Sequence, residues 1–327
     1  MKRLVKGAGY GNVSFEDAPL PAITGRQVLV QTHTSVIARG SEILRRYRQT
    51  GPVDPAIMGY ALAGTIVDAG PAARAAGCVP GDRAFVAAPH AEYATADVDD
   101  GTRFLRVPSH MPWDRIAFLG VSRGPVAWAI SSGARPDDTV VVLGQGVVGN
   151  LVMQAHRARG VGRVLTVDTL DLRVRLSREL GADVAIDASR VDAVAAVRRL
   201  TDGRGTDVVV DCVGGPPGVS SFASALEMVK ADGVVHLIGL YHGRPLPLDS
   251  GRLQGKCLIG GYRLAEPLGP LRAKTAALID AGAIRVEPLI THRFPAARAA
   301  EAFALLDQHL DRALGVILEW APAADAG

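Results

Sequence analysis

Cysteine is scarce in this chain. It has three, Cys78, Cys212 and Cys257, and no two form a Cys-x-x-Cys pair. That excludes a disulfide framework and a clustered-thiolate zinc site as the organising device. A long apolar run is also missing, so no segment is expected to span a bilayer and no membrane partner is expected. No apolar stretch follows the basic start at Met1, Lys2 and Arg3, so no signal peptide is read and a cytoplasmic protein is the default. An excess of one charge is lacking as well. The 36 basic and 33 acidic residues leave a net charge of +3, too small to imply a nucleic-acid partner. No internal repeat or low-complexity segment is visible.

What is abundant is glycine, with 37 residues in 327. That favours an α/β protein with many tight turns over a helical bundle. The length is too great for one ordinary core, so two domains are expected. Residues 1–120 read as mostly β, with strands at Gln27–Thr32 and Gly59–Ala69 between proline and glycine breaks. One helix is read at Ser41–Gln49, with Ser41 as its N-cap.

From Thr139 onward short apolar strands alternate with amphipathic helices. The strands are read at Thr139–Leu143, Arg163–Val167, Val184–Asp187, Thr206–Cys212, Gly233–Gly239 and Cys257–Gly260. Continuous runs of Val, Ile and Leu suit strands buried on both faces. The helices are read near Val148–Arg159, Leu172–Leu180, Val191–Thr201 and Gly218–Val229. This alternation predicts a doubly wound parallel sheet. Two further helices, Leu268–Gly282 and Ala296–Leu310, a strand at Gly315–Glu319 and a frayed tail at Ala321–Gly327 complete the reading.

The first strand of the alternating region runs into Gly144, Gln145, Gly146, Val147, Val148 and Gly149. A lone G-x-G-x-x-G is weak, but here a strand precedes it and a helix follows. Gly144 permits the tight turn, Gly146 lets backbone approach a pyrophosphate, and Gly149 lets helix and strand pack closely. The phosphates would meet the amides of Val147 and Val148 at the helix N-terminus. Asp168 lies 19 residues after Gly149, where an acidic residue hydrogen-bonds the adenosine ribose. A carboxylate there repels a 2′-phosphate, which favours NAD(H). Arg173 either flanks the adenosine or lies on a solvated helix face. Cys212, Gly239 and Leu240, at the ends of later strands, are the remaining cofactor-binding candidates. Cys212 reads as a packing residue rather than a nucleophile.

With these motifs in place the chain resembles the medium-chain dehydrogenase/reductase superfamily, and within it a zinc-free relative of polyol and alcohol dehydrogenases. The likeness rests on Pro19 and Pro21, Gln27–Val30, Ser41 with Glu42, Gly59–Gly64, Gly81–Arg83, His90–Tyr93, the glycine turn, Thr291–Phe294 and Ala299–Leu306. It implies a GroES-like β-barrel catalytic domain split between 1–120 and 266–327, a Rossmann domain at 121–265, and a homodimer joined at the Cys257–Gly260 edge strand.

The resemblance also implies where a catalytic zinc would be held. Arg39 stands where the family has Cys, Tyr60 where it has His, and Ser122 near the third ligand. None is an ordinary zinc ligand, so no metal is expected. Three side chains then become the catalytic candidates. Tyr60 either donates a proton to a carbonyl oxygen or merely lines the pocket. Arg39 steadies an oxyanion or serves as a salt-bridge partner. Ser41 resembles the family's proton-relay hydroxyl. The resemblance implies that His90 lies on a segment bordering the cleft, but it is read as a satisfied surface histidine, and His292 as structural. The basic run Arg45, Arg46 and Arg48 is a solvated face or a recruiter of an anionic substrate.

The function expected is a zinc-independent hydride transfer between NAD(H) and a secondary alcohol or ketone of a small polar molecule. Two alternatives stand beside it: reduction of an enone or quinone C=C bond by NAD(P)H, and a non-catalytic dinucleotide-binding sensor.

Overall fold

The computed structural model describes residues 1–241, 245–261 and 267–320. The frayed tail expected at Ala321–Gly327 and the domain return expected at residue 266 lie outside those residues. In chain order the strands begin with β1 (Lys2–Lys6), β2 (Val13–Asp17), β3 (Gln27–Ile37), β4 (Leu62–Ala69) and β5 (Arg83–Val86). They continue through β6 (Tyr93–Asp97), β7 (Phe104–Val107), β8 (Thr139–Leu143), β9 (Arg163–Asp168) and β10 (Val184–Asp187). The last five are β11 (Thr206–Asp211), β12 (Val229–Leu237), β13 (Cys257–Gly260), β14 (Ile290–Pro295) and β15 (Gly315–Glu319).

Two compact units result. One comprises 1–123, 267–281 and 286–327, the other 124–266 and 282–285. The second unit holds a six-stranded parallel sheet in the order β10-β9-β8-β11-β12-β13. This is the doubly wound order whose direction reverses between β8 and β11, where open α/β sheets bind ligands at the strands' carboxyl ends. The central strands are sealed on both faces: Val140–Val142 and Val209–Val210 expose nothing to solvent. Their continuous β-branched sequence follows from that burial. Helices Val147–Ala158, Asp171–Glu179, Ala193–Leu200 and Gly218–Met228 connect the strands, each within a few residues of its expected bounds. Among the described residues β13 ends the sheet, as an edge strand.

The first unit is built on a seven-stranded mixed sheet in which β14 and β15 run parallel and the other pairings are antiparallel. Ile43, Met58, Phe303 and Leu318 form one core on it, and Val28, Leu62 and Val86 belong to another. The sequence reading missed most of these short strands. It also missed the helix Trp113–Ser131, which lies partly in the region read as β. Gly120, Gly124 and Pro125 disfavour helix locally and hid it. No helix of the described residues is long and apolar enough to cross a membrane.

Candidate active site

In the parallel-sheet unit, β8 ends in the glycine turn. An added Cβ on Gly149 would lie 1.7 Å from the Gly144 carbonyl oxygen, so only glycine lets the helix start this close to the strand. Around Gly146, by contrast, an added Cβ would meet no atom within 4 Å. One glycine is filled by protein and the other faces open space, which is the division of labour a phosphate-binding turn needs. Helix Val147–Ala158 begins here with no side chain capping it. Its own bonding starts with Asn150 N–H donating to the Gly146 carbonyl at 2.9 Å. The earlier amides, those of Val147 and Val148 among them, are the ones an anion can engage.

Asp168 ends β9 beside this turn and is nearly buried. Its Oδ2 accepts from the Gln145 amide at 2.6 Å. Its Oδ1 accepts from the amides of Thr169 at 2.7 Å and Leu170 at 3.0 Å. The carboxylate therefore braces the glycine turn against the next strand, a role the sequence did not disclose. Arg173 Nη1 lies 3.6 Å from Oδ2, with 14% of its side chain exposed. It is thus no solvated surface residue. Cys212 follows β11; burial and the neighbouring Asp211 raise its thiol pKa well above the ordinary value, which suits packing and not nucleophilic attack. Gly239 N–H donates to the Asp211 carbonyl at 2.9 Å, tying the end of β12 to that of β11, and Leu240 after it is exposed.

Sequence reading passed over Asp211 itself. Its carboxylate is buried and accepts from Ser221 Oγ at 2.8 Å, Val213 N–H at 3.1 Å and the Tyr241 hydroxyl at 3.0 Å. Burial outweighs these bonds and pushes its pKa up to about 6. An aspartate ending a run of three valines was the available signal.

In the mixed-sheet unit, Arg39–Tyr47 winds as a π-helix, and Arg48 N–H reaches the Ile43 carbonyl five residues back at 3.3 Å. Such turns recur at functional sites. The expected helix at Ser41–Gln49 is thereby corrected. Ala38 is the N-cap, and Ser41 sits inside the helix with its buried Oγ lacking a hydrogen-bond partner among the described residues. The capping is done by Glu42, whose Oε1 accepts from the Ala38 amide at 2.9 Å. This acid reaches back over the first turn as in a capping box, from one position later. Arg39 is half-buried on the same helix.

His90 is also corrected. The expected surface histidine is 1% exposed. Its Nε2 lies 2.8 Å from Glu42 Oε2 and its Nδ1 2.8 Å from Ser35 Oγ. Trp320 Nε1–H donates to the same Ser35 oxygen at 2.9 Å. One assignment satisfies every member: Trp320 donates to Ser35, Ser35 to His90 Nδ1, and His90 Nε2–H to the Glu42 carboxylate. Gly59, just before Tyr60, has φ +108°, and an added Cβ would lie 2.7 Å from the His90 amide nitrogen. His90 thus links the helix carrying Arg39 and Ser41 to the turn carrying half-buried Tyr60. Ser122 is fully buried and its Oγ has no hydrogen-bond partner among the described residues. Arg45 and Arg48 are exposed, Arg46 is half-buried, and Arg48 pairs with Asp307 at 2.6 Å. His292 Nδ1 contacts Thr291 Oγ1 at 3.0 Å, a local structural bond.

Comparison with known proteins gives the same frame. Residues 147–266 match the family model of the zinc-binding dehydrogenases. D-arabitol-phosphate dehydrogenase of Enterococcus avium is 26% identical over 335 residues, covering 93% of each chain. L-threonine 3-dehydrogenase of Symbiobacterium thermophilum is 28% identical, covering 94% of this chain and 93% of its own. The solved structure of the alcohol dehydrogenase TADH from Thermus sp. ATN1 superposes with a TM-score of 0.82 at 24% identity, covering 98% of this chain and all of that one. The 3-2-1-4-5-6 parallel sheet and the glycine turn lie within and beside the matched residues, and over that segment the chain is similar to the zinc-binding dehydrogenases.

Proposed function

We propose that the protein is a zinc-independent, NAD(H)-linked oxidoreductase interconverting a secondary alcohol and a ketone of a small polar molecule. The carrying observation is an intact dinucleotide turn in a chain whose zinc-ligand positions hold Arg39, Tyr60 and Ser122. A guanidinium, a phenol and an aliphatic hydroxyl do not form a zinc donor set. Among the described residues no group of three His, Cys, Asp or Glu side chains is placed to hold a metal. The buried acid and imidazole nearest these positions, Glu42 and His90, are bonded to each other. The donor chemistry does not fit the metal the family name implies, and no step is derived through one.

The dinucleotide fits. Gly146 and the amides of Val147 and Val148 would hold its pyrophosphate, with Gly144 and Gly149 shaping the turn. Asp168 would meet the adenosine ribose. Three of its roughly four acceptor positions are taken by amides, which leaves one for a ribose hydroxyl. Its negative charge and its hold on Arg173 disfavour a 2′-phosphate, which supports NAD(H) over NADP(H). When bound, the nicotinamide accepts or supplies a hydride. In the reducing direction Tyr60 donates its phenolic proton to the carbonyl oxygen, Ser41 relays its replacement, and the Arg39 guanidinium offsets the charge developing on that oxygen. The relatives named for arabitol phosphate and threonine support a polar alcohol as substrate. The position of β13 at the sheet's edge among the described residues supports a homodimer formed by strand pairing, and a solution mass twice that of the chain checks it.

An anaerobic assay of NADH oxidation against matched ketones and enones, with and without a chelator, tests the reading. Ketone-dependent, chelator-insensitive turnover is expected. Turnover of enones alone would overturn it in favour of C=C reduction, and dinucleotide binding without turnover of any substrate would point to a sensor.

A further inference from the structure

Arg272, on helix Leu268–Asp280 of the mixed-sheet unit, is only 2% exposed. Its guanidinium carbon lies 4.2 Å from the centroid of the Phe85 ring, and its Nη2 donates to the Thr102 carbonyl. Its Nε and Nη1 are buried and have no hydrogen-bond partner among the described residues. Burial lowers the Arg272 pKa to about 9, and the like charge of Arg123 adds to that. Asp100 is the nearby acid, but its Oδ1 accepts from the Thr102 amide at 3.0 Å and the Thr102 hydroxyl at 2.5 Å. No carboxylate among the described residues pairs with either arginine. Two guanidinium groups, one sealed from water and half unbonded, are an unfavourable arrangement unless an anion completes it.

The position of this cluster is informative. Phe85 presents its face to Arg272 and borders Gly120, where an added Cβ would lie 3.2 Å from Phe85 Cε2 and 2.4 Å from Ala61 Cβ. Ala61 follows Tyr60 in the chain. Phe85 therefore meets Arg272 on its face and borders, at Gly120, the Ala61 that follows the candidate proton donor.

We infer that Arg272 and Arg123 form an oxyanion subsite that binds the charged end of the substrate, a phosphomonoester or a carboxylate. This rests on the reading of the same unit as the one that carries Tyr60 and the reacting alcohol. Arg272 supplies directional N–H donors stacked on an aromatic face, the geometry in which arginine recognises planar or tetrahedral oxyanions. Arg123 supplies the second charge.

Calorimetry and thermal unfolding of the full chain test this without turnover, so a failed NADH assay leaves the result readable. Inorganic phosphate and acetate are titrated separately, with saturating NAD+ present to occupy the glycine turn and chloride at matched ionic strength as control. Either oxyanion is expected to bind and raise the Tm beyond chloride, and whichever binds tighter names the substrate's charged group. Arg272→Met should abolish that shift yet be no less stable than wild type without oxyanion, because a buried cation is removed. Arg123→Met, at a half-buried position, should weaken binding at least tenfold, and it serves if Arg272→Met does not fold. The kcat/KM preference for a phosphorylated or carboxylated alcohol over its neutral counterpart should fall in parallel. No oxyanion effect beyond chloride in wild type, or an effect that survives in both variants, overturns the inference.

Discussion

His90 Nε2 lies 2.8 Å from Glu42 Oε2, with both side chains buried, and the same glutamate caps the π-helix that carries Arg39 and Ser41. Removing one partner of such a pair leaves the other buried and unpaired, a loss of about 3–5 kcal/mol. Glu42→Ala should therefore lower stability by that order in urea unfolding. Glu42→Gln can still accept from the Ala38 amide and should lose less than half as much. Equal losses would mean that the charge, rather than the capping bond, is what matters.

Gly146 and Gly149 should separate under alanine substitution. Gly149→Ala drives a Cβ into the Gly144 carbonyl oxygen and should destabilise the parallel-sheet unit by about 1–3 kcal/mol. Gly146→Ala meets no protein atom and should change stability by no more than about 1 kcal/mol. If cofactor backbone approaches there, its NADH affinity should nevertheless fall at least tenfold. Unaltered affinity in Gly146→Ala would remove the pyrophosphate from this turn.

Asp168 holds three amides and the nearby Arg173. Asp168→Ser withdraws the negative charge and releases Arg173 towards a 2′-phosphate. The ratio of kcat/KM for NADPH to that for NADH should rise at least tenfold, with some loss of stability from the amides left unmatched. A constant ratio would show that Asp168 is only a brace.

Asp211 titrates at about 6 in the fold because burial disfavours its charge. Its folded pKa is raised above the unfolded value, so its contribution is fully present below about pH 4 and is lost as pH rises through about 6. Over that window the unfolded chain releases its proton first, which costs the native state up to about 3 kcal/mol. Asp211→Asn should flatten the stability profile between about pH 4 and 6 when compared with wild type. Denaturant midpoints at successive pH values measure it, and an unchanged slope would show that the group does not titrate in the fold.

The parallel-sheet unit was legible because its strands are buried on both faces and read as unbroken Val, Ile and Leu runs. Their bounds fell within a few residues of those expected, apart from β12, which begins at Val229 rather than Gly233. The short strands of the other unit have little room for alternation to show. The π-helix was read as an ordinary helix with Ser41 at its cap, since nothing local distinguishes a π-helix from an α-helix. His90 carries the same letters whether it is exposed or buried; its partners Ser35 and Glu42 are 55 and 48 positions away. Arg272 gave no signal at all.

By itself the sequence determined what depends on local spacing: the glycine turn, the acid 19 residues beyond it and the strand–helix alternation. Each follows from a steric or periodic rule acting over a few tens of residues. Tertiary structure alone decided which charges would be sealed together. It gave Glu42 a histidine, brought the Gln145 amide to Asp168, and buried Arg272 with no carboxylate paired to it among the described residues. Desolvation and pairing depend on what folds against a side chain from distant parts of the chain, and no local pattern encodes that.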